Sequence, residues 1–181
     1  MLWESLKKCY RWISLKFKSL FEEDLSPLRE PIPYPPELLA NRDPLGPASE
    51  RIARFYLEHE FGMRCIGQNI QLRYQWYNNQ IRGEIDLIME LPDEEKTLVI
   101  VEVRSRSKFW EEYPTPVESV NKKKRNRIRT SVWCWLQQNQ ISCNHPLRFD
   151  IIGIIWPIGE LPDIHYYPNA FTWETFKKTK S

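Results

Sequence analysis

Apolar residues at intervals of three and four open the chain. Trp3, Leu6, Tyr10, Ile13, Phe17 and Leu20 form one stripe, with Lys7, Lys8, Arg11, Lys16 and Lys18 mainly off it. This period predicts a basic amphipathic helix over residues 1–24. Its stripe has two uses: packing on this chain's own domain or a second copy, or weak association with an anionic membrane surface. Residues 25–47 hold half of the chain's 14 prolines and read as a stiff, extended linker. A domain spanning 48–175 then begins with a helix over 49–60. Ile52, Ala53, Tyr56 and Leu57 are its inward face, and Gly62 lies just past its end. Strands are predicted over 70–76, 81–91 and 98–103, the last an apolar, β-branched run expected at the centre of a covered sheet. Thr115, Pro116 and Glu118 carry a helix-start signature, so one long helix is predicted from there to Gln138. A strand over 148–156 and a short edge strand over 163–167 close the pattern. Helix, three strands, helix, strand describes a mixed α/β domain with a helix on each face.

Composition narrows the class. A length of 181 residues allows one domain with an appendage, and 41% hydrophobic with 28% charged residues excludes a disordered chain. No apolar run approaches the length of a membrane span. The four cysteines have no CxxC spacing and the histidines number only three, which argues against a zinc finger and for free thiols in a reducing, cytoplasmic setting. No GxSxG, P-loop or GxGxxG occurs. A net charge of +2 implies no partner, so the positions of the charges matter more than their sum.

Acids inside strands are the main chemical signal. Glu84 and Asp86 alternate with apolar neighbours in GEIDLI, and period two puts them on one side of their strand. Glu102 interrupts the buried-type run TLVIVEV. A carboxylate in such a run is costly unless paired or bound to a metal. Adjacent strands can bring Asp86 beside Glu102, making a hard-metal site suited to Mg²⁺. The structural alternative pairs Glu102 with Arg104, and Asp86 or Glu84 with Arg82 or Arg106. Lys124 falls on the apolar stripe Val117, Val120, Ile128 and Val132, so it either snorkels out or points at an acidic cluster. Lys122, Lys123, Arg125 and Arg127 surround it, and Arg106 and Lys108 follow the Glu102 strand. Cations beside an acidic site suit a phosphodiester backbone, although a charged helix face is also the ordinary solvated one.

GEIDLI, LVIVEVRSR, SVNKKK, RFDII and NAF, in that order, resemble the YraN-like family of bacterial proteins within the restriction-endonuclease-like, PD-(D/E)xK nuclease superfamily. The resemblance spans residues 48–171 and leaves out the first helix and the proline segment. It implies a restriction-endonuclease-like mixed sheet and a Mg²⁺- or Mn²⁺-dependent endonuclease acting on DNA or RNA. By the same resemblance, Asp86 and Glu102 match metal-binding acids, Glu50 the helical glutamate, and Lys124 a lysine of the long helix. Arg104 stands where the superfamily usually has lysine; it keeps the charge and gains a forked phosphate contact but cannot serve as a base. The competing readings are a non-catalytic nucleic-acid-binding module on the same fold and a membrane-peripheral scaffold led by the first helix.

Overall fold

The computed structural model describes residues 35, 38, 45–76, 79–106, 116–156 and 161–172. The helix expected over 1–24, most of the proline segment, and Lys108 lie outside them. The described chain folds as α1 (Leu45–Phe61), β1 (Arg64–Trp76), β2 (Asn79–Glu90), β3 (Leu98–Arg106), α2 (Pro116–Ser119), α3 (Lys122–Gln138), β4 (Leu147–Ile155) and β5 (Asp163–Phe171). The five strands form one mixed sheet in chain order, with β3 and β4 parallel and every other neighbour antiparallel.

Two layers of helix cover this sheet. Ile128, Val132, Trp135 and Leu136 of α3 pack with Leu98 and Ile100 of β3, Phe149 and Ile151 of β4, and Ile85 and Ile88 of β2. Alternation turns Val99, Val101, Ile152 and Ile154 to the opposite face, which α1 covers with the buried Ala48, Ile52, Ala53 and Leu57. β3 is thus buried on both sides, as its unbroken apolar run requires.

β2 starts at Asn79, β3 runs to Arg106 and β5 to Phe171, each beyond the expected span, and three further differences from the sequence pattern have a local reason. The first helix begins at Leu45 rather than 49, because Pro47 sits in its first turn, where a missing N–H costs nothing. Its far end is as expected, with Gly62 at φ 61° and the Met63 N–H donating to the Leu57 carbonyl. β1 begins at Arg64 rather than 70: a register shift between Cys65 and Gly67 and a positive φ at Asn69 keep the strand continuous through residues that read as punctuation. The single long helix is in fact two. Asn121 is extended, and its side chain accepts the Lys124 N–H, capping α3, while the Ser119 hydroxyl donates to the Pro116 carbonyl and closes α2.

Two glycines let the helices sit close. A Cβ on Gly153 of β4 would lie 2.3 Å from Pro116 of α2, and one on Gly83 of β2 would lie 2.3 Å from the Ser131 hydroxyl of α3. Nearer the start of β4, a buried ion pair pins β4 to β5. Arg148 donates to Asp150 at 2.7 and 2.9 Å and to the Tyr166 hydroxyl at 2.9 Å, while Asp150 also accepts the Tyr166 hydroxyl and the Asn169 N–H. Burial pushes the Tyr166 phenol far above its ordinary value, and the charge of Asp150 adds to it. The Tyr166 ring packs against Tyr56 and Phe61 of α1, which joins this network to the helix.

Candidate functional site

β2 and β3 pair from Glu90 and Leu98 as far as Leu87 and Val101, and no further. Continued by one step, the register would set Asp86 opposite Glu102. There the strands separate instead, and the Asp86 carboxylate takes the ladder position: it accepts the Val103 N–H at 2.7 Å. The two acids thus meet in the notch between diverging strands. The apolar pattern also shifts at this point, since Ile85 and Ile88 join the same core cluster although three residues apart.

Two cations meet one oxygen of Glu102. Lys124 Nζ lies 2.9 Å from Oε1, and Arg104 Nη1 lies 3.5 Å from the same atom. Of the two sequence readings of Lys124, the acidic cluster describes its position. The expected Glu102–Arg104 pair is also present, but Asp86 and Glu84 do not pair with arginine: Asp86 takes a backbone N–H, and Glu84 accepts from Gln71 at 2.8 Å. Arg104 Nε lies 3.2 Å from the Ser119 hydroxyl, so α2 helps aim the guanidinium.

Burial and neighbouring charge raise all three carboxyls. Burial, then the Asp86 charge, raises Glu102 to about 7 despite the opposing pull of Lys124. Asp86 is raised mainly by burial, against the Val103 N–H and Lys124. Glu50 on α1 rises to about 7 through burial and the charges of Asp86 and Glu84, which places it alongside the notch. Its helix is anchored next door, where the buried Trp156 indole donates to Ser49 at 2.8 Å. Among the described residues no three His, Cys, Asp or Glu side chains are gathered as a metal-ligand group. The donor set at the notch is therefore two acids with a third beside them. That set fits Mg²⁺ or Mn²⁺, since such an ion uses one or two carboxylates and leaves its other positions to water and phosphate.

A positive corner adjoins the acids. Lys122, Lys123 and Lys124 occupy the first turn of α3, which contains no acid. Cations are the wrong sign for a helix N-terminus, so this turn favours an anion more strongly than the helix end alone would. The basic run is not uniform, however. Lys122, Lys123 and Arg127 are exposed, whereas Arg125 donates to the Val120 carbonyl and sits over the Phe171 ring. Arg129 is buried, donates to the Thr172 carbonyl and also lies over the Phe171 ring. Two cations of this helix, Arg125 and Arg129, thus hold the end of β5 in place. Arg106 ends β3 and carries further interactions.

Sequence spacing alone does not reveal Asn121 as a cap, Ser119 as a support for Arg104, or the Ser49–Trp156 anchor. A short polar residue before three lysines was the available signal for the first. The other two depend on contacts between distant segments. Among the described residues, no helix is long and apolar enough to cross a membrane.

Residues 49–154 match the model of the uncharacterised protein family UPF0102. A UPF0102 protein of Ectopseudomonas mendocina is 38% identical over 116 residues, covering 64% of this chain and 86% of the relative. One from Rhodococcus opacus is 35% identical over 133 residues, covering 74% of this chain and all of the relative. The crystal structure of SSO0001 aligns at 10% identity and a TM-score of 0.38, over 87% of this chain and 63% of that one, a likeness that bears on neither fold nor function. The matched segment runs from the Ser49 anchor through both notch acids and Lys124 to β4, and by it the chain belongs to the UPF0102 family of YraN-like bacterial proteins.

Proposed function

We propose that the domain is a divalent-metal-dependent nucleic-acid phosphodiesterase of the PD-(D/E)xK type. The observation that carries this reading is the notch itself: Asp86 and Glu102 meet where β2 and β3 part, and two cations converge on Glu102. A buried Glu102 raised by the charge of a half-buried Asp86 is an expensive arrangement, which a divalent cation relieves. Asp86 and Glu102 would hold Mg²⁺ or Mn²⁺, which supplies Lewis-acid charge at a phosphate oxygen. Glu50 orients the acidic side of the site. Arg104 binds the phosphate with its planar fork, and Lys124 offsets charge developing on it. Lys122, Lys123 and Arg127 hold the flanking backbone.

A specific feature favours the second reading, a binding module without catalysis. Arg104 cannot accept a proton, and Glu102 is engaged by both cations. Cleavage assays on DNA and RNA duplexes, single strands, flaps and junctions separate the two. Mg²⁺- or Mn²⁺-dependent cleavage that is lost in Lys124→Ala and kept or increased in Arg104→Lys, with melting temperatures unchanged, supports the enzyme. Wild type and Arg104→Lys both inert on every form, while still binding nucleic acid, establish the binding module.

A further inference from the structure

Beyond the notch, β2 has no β3 partner, yet it stays paired with β1 out to Asn79 and Trp76. The two strands therefore continue as a ribbon past the body of the sheet. One face rests on α3: Leu72, Tyr74 and Ile85 belong to or pack against the core cluster, and Gly83 meets Ser131. The other face carries three cross-strand pairs, Gln71 with Glu84, Arg73 with Arg82, and Gln75 with Gln80, and all six residues are exposed.

The central pair is the anomaly. Two arginines directly opposite one another on an antiparallel ribbon repel, and such a pairing destabilises a hairpin. No ion pair joins either of them to a carboxylate among the described residues. A bound anion removes the repulsion and turns the pair into a four-pronged donor set. The same face leads back to the acids. Glu84 lies two residues from Arg82, and its charge acts on Glu50. Asp86 lies four positions beyond Arg82, roughly 13 Å at about 3.3 Å per residue. That is too far for one phosphate to reach both and suits a second phosphate of the same chain.

We infer that this outer face of the β1–β2 ribbon holds the backbone of double-stranded nucleic acid beside the carboxylate notch. The inference rests on the nucleic-acid reading above and adds to it the substrate class. Duplex is favoured over single strand because the six residues of this face include no ring on which an unpaired base could stack. They offer instead paired guanidiniums for phosphates and amide side chains for groove edges, on a two-stranded ribbon of the kind a major groove admits.

The test is fluorescence anisotropy in EDTA, with labelled 20-base-pair DNA and RNA duplexes and their single strands, across a salt series. The proteins are wild type, Arg73→Gln/Arg82→Gln and Arg73→Lys/Arg82→Lys. The glutamine pair is expected to weaken duplex binding on the order of tenfold and to lower the salt slope by about two, one unit per lost phosphate contact. The lysine pair should retain the slope. Because repulsion is removed, the glutamine pair should melt no lower than wild type, which separates lost binding from lost folding. Wild-type duplex binding with an unchanged slope in the glutamine pair overturns the ribbon inference and leaves the proposed function standing. Single strands bound more tightly than duplex, with the same loss on substitution, overturn the choice of duplex. A wild type that binds neither form overturns the proposed function itself and the ribbon inference with it.

Discussion

At the scale of single residues, Glu102 carries a measurable signature. Its ordinary value of 4.5 is raised to about 7 in the folded chain. Between those values the folded protein holds a proton that the unfolded chain has lost. The stability from this group is fully present below about 4.5 and is lost as pH rises through about 7. The metal-free protein should therefore show a melting temperature that falls from pH 5 to pH 7.5, followed by differential scanning calorimetry. Glu102→Gln should flatten that part of the profile, and Mg²⁺ should restore stability at the upper end, where the carboxylates are ionised. A wild-type profile as flat as that of Glu102→Gln would mean that the notch does not raise this acid. Asp86, Glu102 and Lys124 were visible in the sequence because each breaks a pattern: two acids in β-branched strands and a lysine on an apolar stripe. Ser119 breaks none, and only the fold brings it to Arg104.

At the scale of elements, the site depends on how closely α2 approaches β4. Gly153 pairs with Arg104 across the parallel strands, and its missing side chain is the space that Pro116 fills. Gly153→Val should push α2 outward and destabilise the domain by about 1–3 kcal/mol, the usual cost of overpacking, as read by urea denaturation. Loss of the Ser119–Arg104 contact should accompany it, seen as an Arg104 side-chain shift by NMR. Wild-type stability in this variant would mean that α2 is free to yield. The elements themselves were largely legible, because period two and period 3.6 are strong in β3, β4 and α1. The helix break at Asn121 was not, since a Pro116 start signature and a continuous run of helix formers outweighed one polar residue. The early start of β1 was hidden for a related reason. Gly67 and Asn69 read as turn residues, whereas here they accommodate irregularities within a single strand.

Across the whole molecule, polar networks sit on both flanks of the apolar core. The Arg148–Asp150–Tyr166 group is fully enclosed at Asp150, and Arg148 is held above its ordinary value because Asp150 and Tyr166 outweigh the cost of burial. Removing one partner leaves an unpaired buried charge, so Asp150→Ala should cost about 3–5 kcal/mol in chemical denaturation. The cost should appear in stability with little effect on metal affinity, because the Asp150 carboxylate is engaged by Arg148, the Tyr166 hydroxyl and the Asn169 N–H. A drop in metal affinity without a drop in stability would contradict that separation. RFDII was visible as a motif in the sequence, yet nothing in it told a structural acid from a ligand; the difference lies in Arg148 and Tyr166, which close around Asp150.

The central claim is that Asp86 and Glu102 form a divalent-metal site. A crystal soaked in Mn²⁺ tests it most directly, through the anomalous difference map at the notch between β2 and β3. The expected result is a peak within coordination distance of both carboxylates, absent in Asp86→Asn. A fully occupied Mn²⁺ elsewhere, with no density at the notch and the Lys124–Glu102 and Arg104–Glu102 pairs intact, would contradict it.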